Sequence, residues 1–175
     1  MKIGLVRHFK VHHPFPSRFL LSAKDIVQWF DEYELAAVER GQTDLQDIRW
    51  DICFSSPLPR ALHTANAIVA GDVIPADELK ELDVLPLLNQ GIRLPFLVWA
   101  MVIKARSSSV HPVTDQFRSR ISAFADRIVS GEHEHVLVVS HGFVMMFLQQ
   151  ELEKRGFSGQ RFRSPRNGKL YVFAK

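Results

Sequence analysis

Short unbroken apolar runs alternate with longer segments whose apolar residues recur at helical spacing. Ile3, Leu5 and Val6 form the first run, which stops at Arg7 and His8. Asp51 to Ser56 forms a second, stopped by Pro57 and Pro59, and Val136 to Val139 a third that ends in Ser140-His141-Gly142. Runs of this length predict strands, and the continuous third run predicts a fully buried, parallel one. A final run, Leu170 to Ala174, predicts a strand that closes the sheet.

Between the runs lie helical patterns. Ser22 is placed to cap a helix through Asp25, Ile26, Trp29 and Phe30, with helical character resuming from Leu35 to Val38 and ending near Gly41. A second helix starts near Leu58, turns Ala61, Leu62, Ala65, Ile68 and Val69 inward, and closes at Gly71. Leu94 to Lys104 predicts a helix apolar nearly all round, carrying Phe96, Leu97, Trp99 and Met101. Such a helix either packs in the core on both sides, meets a partner, or walls a pocket. Ser107-Ser108-Ser109 and Pro112 predict a loop, and Thr114 the cap of a helix with Phe117, Ile121, Phe124 and Ile128 on one face. A last helix follows Gly142 through Phe147, Leu148 and Leu152. No internal repeat interrupts the pattern.

Composition narrows the picture. The 175 residues, 46% of them hydrophobic, suit one domain spanning residues 1–175. Twenty-two basic against 19 acidic residues leave a net charge of +3, a balance that argues against a nucleic-acid partner. The six basic residues between Lys154 and Lys169 are the one local excess. A single cysteine, Cys53, allows no internal disulfide and fits a cytoplasmic, reducing setting. The longest apolar run, Pro95 to Ile103, is too short for a bilayer, and Arg7 breaks the first run too early for a signal peptide, so no membrane partner is expected. His12-His13 and Glu132-His133-Glu134-His135 are expected to be solvated loop residues, with no metal site.

The chemistry sits where runs end. Side chains just past the carboxyl ends of parallel strands face the ligand crevice of an open α/β sheet. Arg7 with His8, Arg60 just past the second strand and His141 past the third would meet along one sheet edge. Arg60 falls in the first turn of its helix, where a cation is unfavourable unless an anion is bound there. Two guanidinium forks and two imidazoles around one point describe an anion pocket suited to phosphoryl transfer, with no need of a metal cofactor. Cys53 and Arg60 are one residue too far apart for a cysteine phosphatase loop, so Cys53 reads as a buried strand thiol.

With these residues in view, the chain resembles the histidine phosphatase superfamily, the phosphoglycerate mutase-like proteins. Its apolar strand followed by Arg-His-Gly is matched by Leu5-Val6-Arg7-His8-Phe9 apart from the last residue. The family's second motif is matched by Ser55-Ser56-Pro57-Leu58-Pro59-Arg60-Ala61-Leu62-His63-Thr64-Ala65. Leu79-Lys80-Glu81 and Val139-Ser140-His141-Gly142 complete the set, in the family's order. The resemblance implies an α/β fold, three-layered and doubly wound, with a mostly parallel sheet and helices on both faces. It implies that His8 is the phosphorylated nucleophile, that Arg7, His8, Arg60 and His141 form the phosphate site, and that His8, Glu81 and His141 are catalytic. Glu81 would be the acid and then the base, although Glu78 and Asp83 lie close by in sequence.

Two departures from the family pattern qualify these expectations. Phe9 stands where the family has glycine, and Lys10 to Pro14 lacks its secondary polar contacts. With the short apolar stretch after Glu81, this favours a phosphatase over a mutase. The expected substrate is a phosphorylated small metabolite hydrolysed through phosphohistidine, without a cofactor. The alternatives are a phosphohistidine or phosphoprotein phosphatase and, further down the order, a non-catalytic anion-binding domain or a phosphoglycerate mutase.

Overall fold

The structure is a computed structural model that describes residues 1–88, 91–107 and 112–175. Its elements run β1 (Lys2–Arg7), β2 (Leu21–Ser22), α1 (Ala23–Leu35), β3 (Ile52–Ser55), α2 (Pro59–Ile68), β4 (Val73–Pro75), β5 (Arg93–Leu94), α3 (Phe96–Ser107), α4 (Pro112–Val129), β6 (His135–Ser140), α5 (Gly142–Lys154), β7 (Ser158–Gly159) and β8 (Leu170–Ala174). A six-stranded sheet has the order β4-β3-β6-β1-β8-β7. The first four of these strands are mutually parallel, and β8 and β7 add antiparallel pairs at one side.

The apolar runs explain the middle of that sheet. Ile3, Leu5, Val136 and Val138 face one side, where they pack with Ile121 and Phe124 of α4 and Val144 and Leu148 of α5. Val6, Cys53, Leu137 and Val139 face the other side, against Ala61 and Ala65 of α2. Successive strand residues point to opposite faces, so a strand covered on both must be apolar throughout. The fold is therefore α/β, mostly parallel, with helices on both faces. Cys53 is fully buried in β3, and burial pushes its thiol up to about 12.

A third apolar cluster lies apart from the sheet. Leu21, Ile26, Trp99 and Ile103 join α1 to α3 over the two-residue ribbon β2–β5. Ser22 caps α1 as expected, its hydroxyl accepting from the Asp25 amide while the Asp25 carboxylate accepts from the Ser22 amide. The Trp99 indole donates to the Leu21 carbonyl at 2.8 Å and fixes α3 to the ribbon. Leu97 and Met101 remain 71% and 62% exposed, so the apolar helix is neither buried all round nor wholly a pocket wall.

Several local expectations are corrected. α1 stops at Leu35, because the following residues bridge to the loop after β1: Val38 pairs with Val11, and the Glu39 amide donates to the Lys10 carbonyl. α2 ends at Ile68 and hands over to β4, a short edge strand with no clear apolar signal. Leu94 belongs to β5, and α3 begins after Pro95. Thr114 is not a cap: α4 begins at Pro112, a residue well suited to a first helical turn. Ser107 closes α3, and the rest of the expected serine loop, Ser108 and Ser109, lies outside the described residues. Half of the basic tail is paired within the molecule, Lys154 with Glu151, Arg155 with Glu151 and Asp126, and Arg161 with Glu153. No described helix is long and apolar enough to cross a membrane.

Candidate active site

The three parallel strands β3, β6 and β1 lie side by side, and their carboxyl ends are in register. Arg7 is level with Ser140, and Ser55 with Val139. The ladder continues one residue further on both sides, the His8 amide donating to the Ser140 carbonyl and the Ser56 amide to the Val139 carbonyl. This backbone places His8, Ser56 and His141 next to one another where the strands give way to loops and helices. The imidazoles of His8 and His141 lie 5.2 Å apart between ring centres.

His8 is almost fully buried, and its Nδ1 lies 2.6 Å from the Phe9 carbonyl oxygen. A carbonyl can only accept, so Nδ1 carries the proton and Nε2 holds a free lone pair. Burial is the main influence on its charge, outweighing that hydrogen bond, and Arg7 and Arg60 add to it; together they lower the His8 pKa to about 3. The ring is therefore neutral at ordinary pH. Its backbone is held as well, with the Asn167 side-chain amide donating to the His8 carbonyl and the Phe9 amide donating to Thr64 Oγ1.

Arg60 occupies the second position of α2 and is buried despite its charge. Its guanidinium lies over the Tyr33 ring, 5.4 Å from the ring centre, and 3.8 Å from a Glu34 carboxylate oxygen. Arg7 Nη1 donates to the Pro165 carbonyl. Beyond these contacts, Arg7 Nε, Arg60 Nε and Nη1 and His141 Nδ1 are buried without a hydrogen-bond partner among the described residues. Buried polar nitrogens are normally satisfied, so such a cluster around one imidazole is chemically suited to receive an anion. Both α2 and α5 begin here without a side-chain cap, although Pro59 at the start of α2 has no N–H to offer and the Leu58 amide donates to Ser56 Oγ. His141 Nε2 lies 2.8 Å from Ser56 Oγ, and burial, followed by Arg60, lowers its pKa well below the usual range.

Glu81 arrives from the segment after β4. The Ser140 hydroxyl donates to the Leu79 carbonyl and Arg120 Nη2 to the Lys80 carbonyl, and with Leu79 fully buried these bonds fix the backbone on which Glu81 stands. Burial raises the Glu81 pKa and outweighs the opposing pull of its backbone contact and of Arg60 and Arg7. Glu78 instead pairs with Arg127 at 3.2 Å, while Asp83 shares the cavity with Glu81. The carboxylate run is thus less solvated than its composition suggests, since Leu79 and Leu82 anchor it in the core.

A cavity of about 750 Å³ opens over Arg7, His8, Arg60 and Glu81, with α1 on the opposite wall. His141 is fully buried beside His8 and forms no part of the cavity wall. Phe9 points elsewhere: its buried ring lies against Gly41 and Gly168, where a Cβ would approach it to 2.7 and 3.0 Å. Gly168 also has a φ of 67°, which favours glycine there. The residue after His8 needs no such freedom, because Phe9 has an ordinary negative φ.

Ser56, Thr64, Asn167 and Tyr33 were not singled out by the sequence. Ser56 and Thr64 lay inside the second motif, whereas Asn167 carries no local signal, being joined to His8 across the sheet. His12 is exposed as expected, but His13 packs its ring 5.1 Å from that of Trp29. Among the described residues no group of three or more His, Cys, Asp or Glu side chains is placed to hold a metal ion.

The sequence matches the family described as histidine phosphatase superfamily (branch 1) over residues 5–174. No curated protein matches it in a sequence search. Among solved structures, the alpha-ribazole phosphatase of Shigella flexneri is similar at 18% identity, covering 98% of this chain and 89% of its own, with a TM-score of 0.55. A phosphoserine phosphatase of Entamoeba histolytica, solved with 3-phosphoglyceric acid, is 17% identical, covering 99% of this chain and 90% of its own, with a TM-score of 0.54. A Thermus thermophilus protein reaches a TM-score of 0.56 at 18% identity, covering 98% of this chain and 92% of its own. At these identities the structures speak for the shared fold.

Proposed function

The chain belongs to the histidine phosphatase superfamily and is a phosphatase, and from that premise we propose that it hydrolyses phosphate monoesters of a small metabolite through a phosphohistidine at His8. The observation that carries this reading is the neutral His8, anchored at Nδ1, amid buried guanidinium and imidazole nitrogens that lack partners among the described residues.

In the first step the free Nε2 of His8 attacks phosphorus in line with the ester oxygen. The P–N bond forms as the P–O bond to the alcohol breaks, and Glu81 gives its proton to the departing oxygen. In the second step the Glu81 carboxylate takes a proton from water, whose oxygen attacks phosphorus. The P–N bond breaks, releasing inorganic phosphate and neutral His8. Arg7 and Arg60, on the cavity wall, hold the phosphoryl oxygens in both steps. His141, off the wall and buried beside His8 with Nδ1 unpartnered among the described residues, is assigned the same role for an oxygen that reaches past His8. Arg7 and Arg60 supply the positive charge that such a transfer needs, and neutral His141 can add only a hydrogen bond, so the reaction is written without a metal.

A walled cavity of about 750 Å³ suits a small molecule better than a folded phosphoprotein. The alcohols released by the relatives named above belong to those proteins; for this chain they support only the breadth of the class. The test is hydrolysis of p-nitrophenyl phosphate and a panel of metabolite and protein phosphates with EDTA present, followed by an acid and base quench. A phosphoryl group on the enzyme that survives base and is lost in acid is the expected result. Loss of activity with EDTA, or a label that survives acid, would refute the mechanism.

A further inference from the structure

The phosphate end accounts for only part of the cavity. Much of the rest is an apolar wall, formed by Val27, Trp29, Phe30 and Tyr33 of α1, with Ile103 of α3 and Phe143 of α5. Trp29 is the hub of this wall. Its ring stacks on Tyr33 at 5.3 Å and 25°, meets Phe30 edge-on at 5.2 Å, and is backed by Phe96 at 4.9 Å. Tyr33 in turn lies beneath the Arg60 guanidinium. A continuous aromatic column thus begins at the phosphate site and runs away from it along α1.

The charges around the cavity point the same way. Around the rest of the cavity, Lys80, Lys104 and Arg163 are set against Asp31 and Asp83, and Glu34 stands at the boundary beside Arg60. Lys80 is also paired with Asp77 at 3.1 Å. An alcohol carrying further anionic groups would find no net positive field there, whereas a ring would find aromatic faces and edges at ordinary contact geometry.

Resting on the phosphatase reading, we propose that the substrate is the phosphate monoester of an alcohol bearing an aromatic or heteroaromatic ring, seated between α1, α3 and α5. The α1 aromatics then set specificity, and the phosphate end sets the reaction.

The test compares kcat/KM of the wild-type protein for 2-phenylethyl phosphate, n-hexyl phosphate and glycerol 3-phosphate, alkyl esters whose leaving alcohols differ little in acidity. Burying one ring should favour the phenylethyl ester over the glycerol ester by about 30-fold. Phe30→Leu keeps bulk but loses the ring, and it should cut that preference by about 5-fold through KM, with Phe30→Ala cutting it further. Thermal melts show whether each variant is folded, and the wild-type ranking needs no variant. A ranking near parity among the three esters overturns the proposal, and parity of the hexyl and phenylethyl esters overturns the ring. An unchanged preference in folded Phe30→Leu overturns the α1 placement. Failure to hydrolyse any ester, p-nitrophenyl phosphate included, overturns the phosphatase reading itself; turnover with a flat ranking overturns only this one.

Discussion

The two ends of the cavity are built by opposite means. The phosphate end stands on three parallel strands whose ladder runs one residue past their ends, and its side chains are buried, polar and charged. The far end stands on α1, which reaches α3 through a separate cluster and a ribbon of two-residue strands. Its side chains are aromatic and only partly buried. A backbone ladder fixes atoms closely enough for in-line attack, whereas a helix on a small cluster can change its side chains without moving the sheet. The proposed mechanism therefore assigns chemistry to the first end, and the proposed specificity assigns substrate choice to the second.

The hardest test of that division is His8→Ala. Removing the proposed nucleophile should lower kcat by about 10⁴-fold or more, with no phosphoenzyme trapped after quench. Circular dichroism should remain that of the wild type, because the sheet edge is held by backbone bonds. Near-normal turnover would mean that the sheet edge does not carry the chemistry.

Glu81→Gln should cost about 10²–10³-fold on alkyl esters but only a few-fold on p-nitrophenyl phosphate, whose leaving group needs no proton. The pH profile gives a second reading. In the proposed mechanism Glu81 donates as the acid, and burial raises its pKa, which extends the protonated form to higher pH. Alkyl ester turnover should thus fall as pH rises through that value, and the Gln variant should lack this limb. Equal losses on both esters would shift the role to Asp83, the other carboxylate of that segment in the cavity.

How much of this was legible in the sequence follows the same division. β1, β3 and β6 are apolar throughout because they are covered on both faces, so both the strands and the residues ending them could be read directly. His8, Arg60 and His141 then meet because parallel strands share one carboxyl edge. The α1 wall was not legible, because Trp29 and Phe30 at helical spacing look the same whether they face a core or a cavity. β2, β5 and β7 are too short to leave a pattern. Phe9 looked like a fault at the site, since its accommodation by Gly41 and Gly168 depends on residues far along the chain.

At the far end the expected losses are of stability first. Trp99 is buried and bonded to the β2 carbonyl, so Trp99→Ala should cost about 3–5 kcal/mol and lower Tm. Phe96 is only partly buried, and Phe96→Ala should cost less. Since Trp99 does not line the cavity, the ranking of substrates in its folded variants should hold. A changed ranking with unchanged Tm would make α3 a true lid, contrary to the contacts it makes.

The smallest effect belongs to a charged contact where the ends touch. Glu34, in the last turn of α1, lies 3.8 Å from Arg60 Nη1 with half its side chain exposed. An ion pair this long and this exposed is worth at most about 1 kcal/mol, so Glu34→Gln should scarcely move Tm. Its effect on binding has a definite sign. The carboxylate competes with a phosphoryl group for the same guanidinium, so removing its charge should tighten inorganic phosphate binding and lower KM by about 2–5-fold. The gain should shrink at high salt, because screening weakens a partly exposed pair. Weaker binding in the variant would mean that Glu34 instead orients Arg60 for the phosphoryl oxygens, and the boundary between the two ends would then lie one helical turn further along α1.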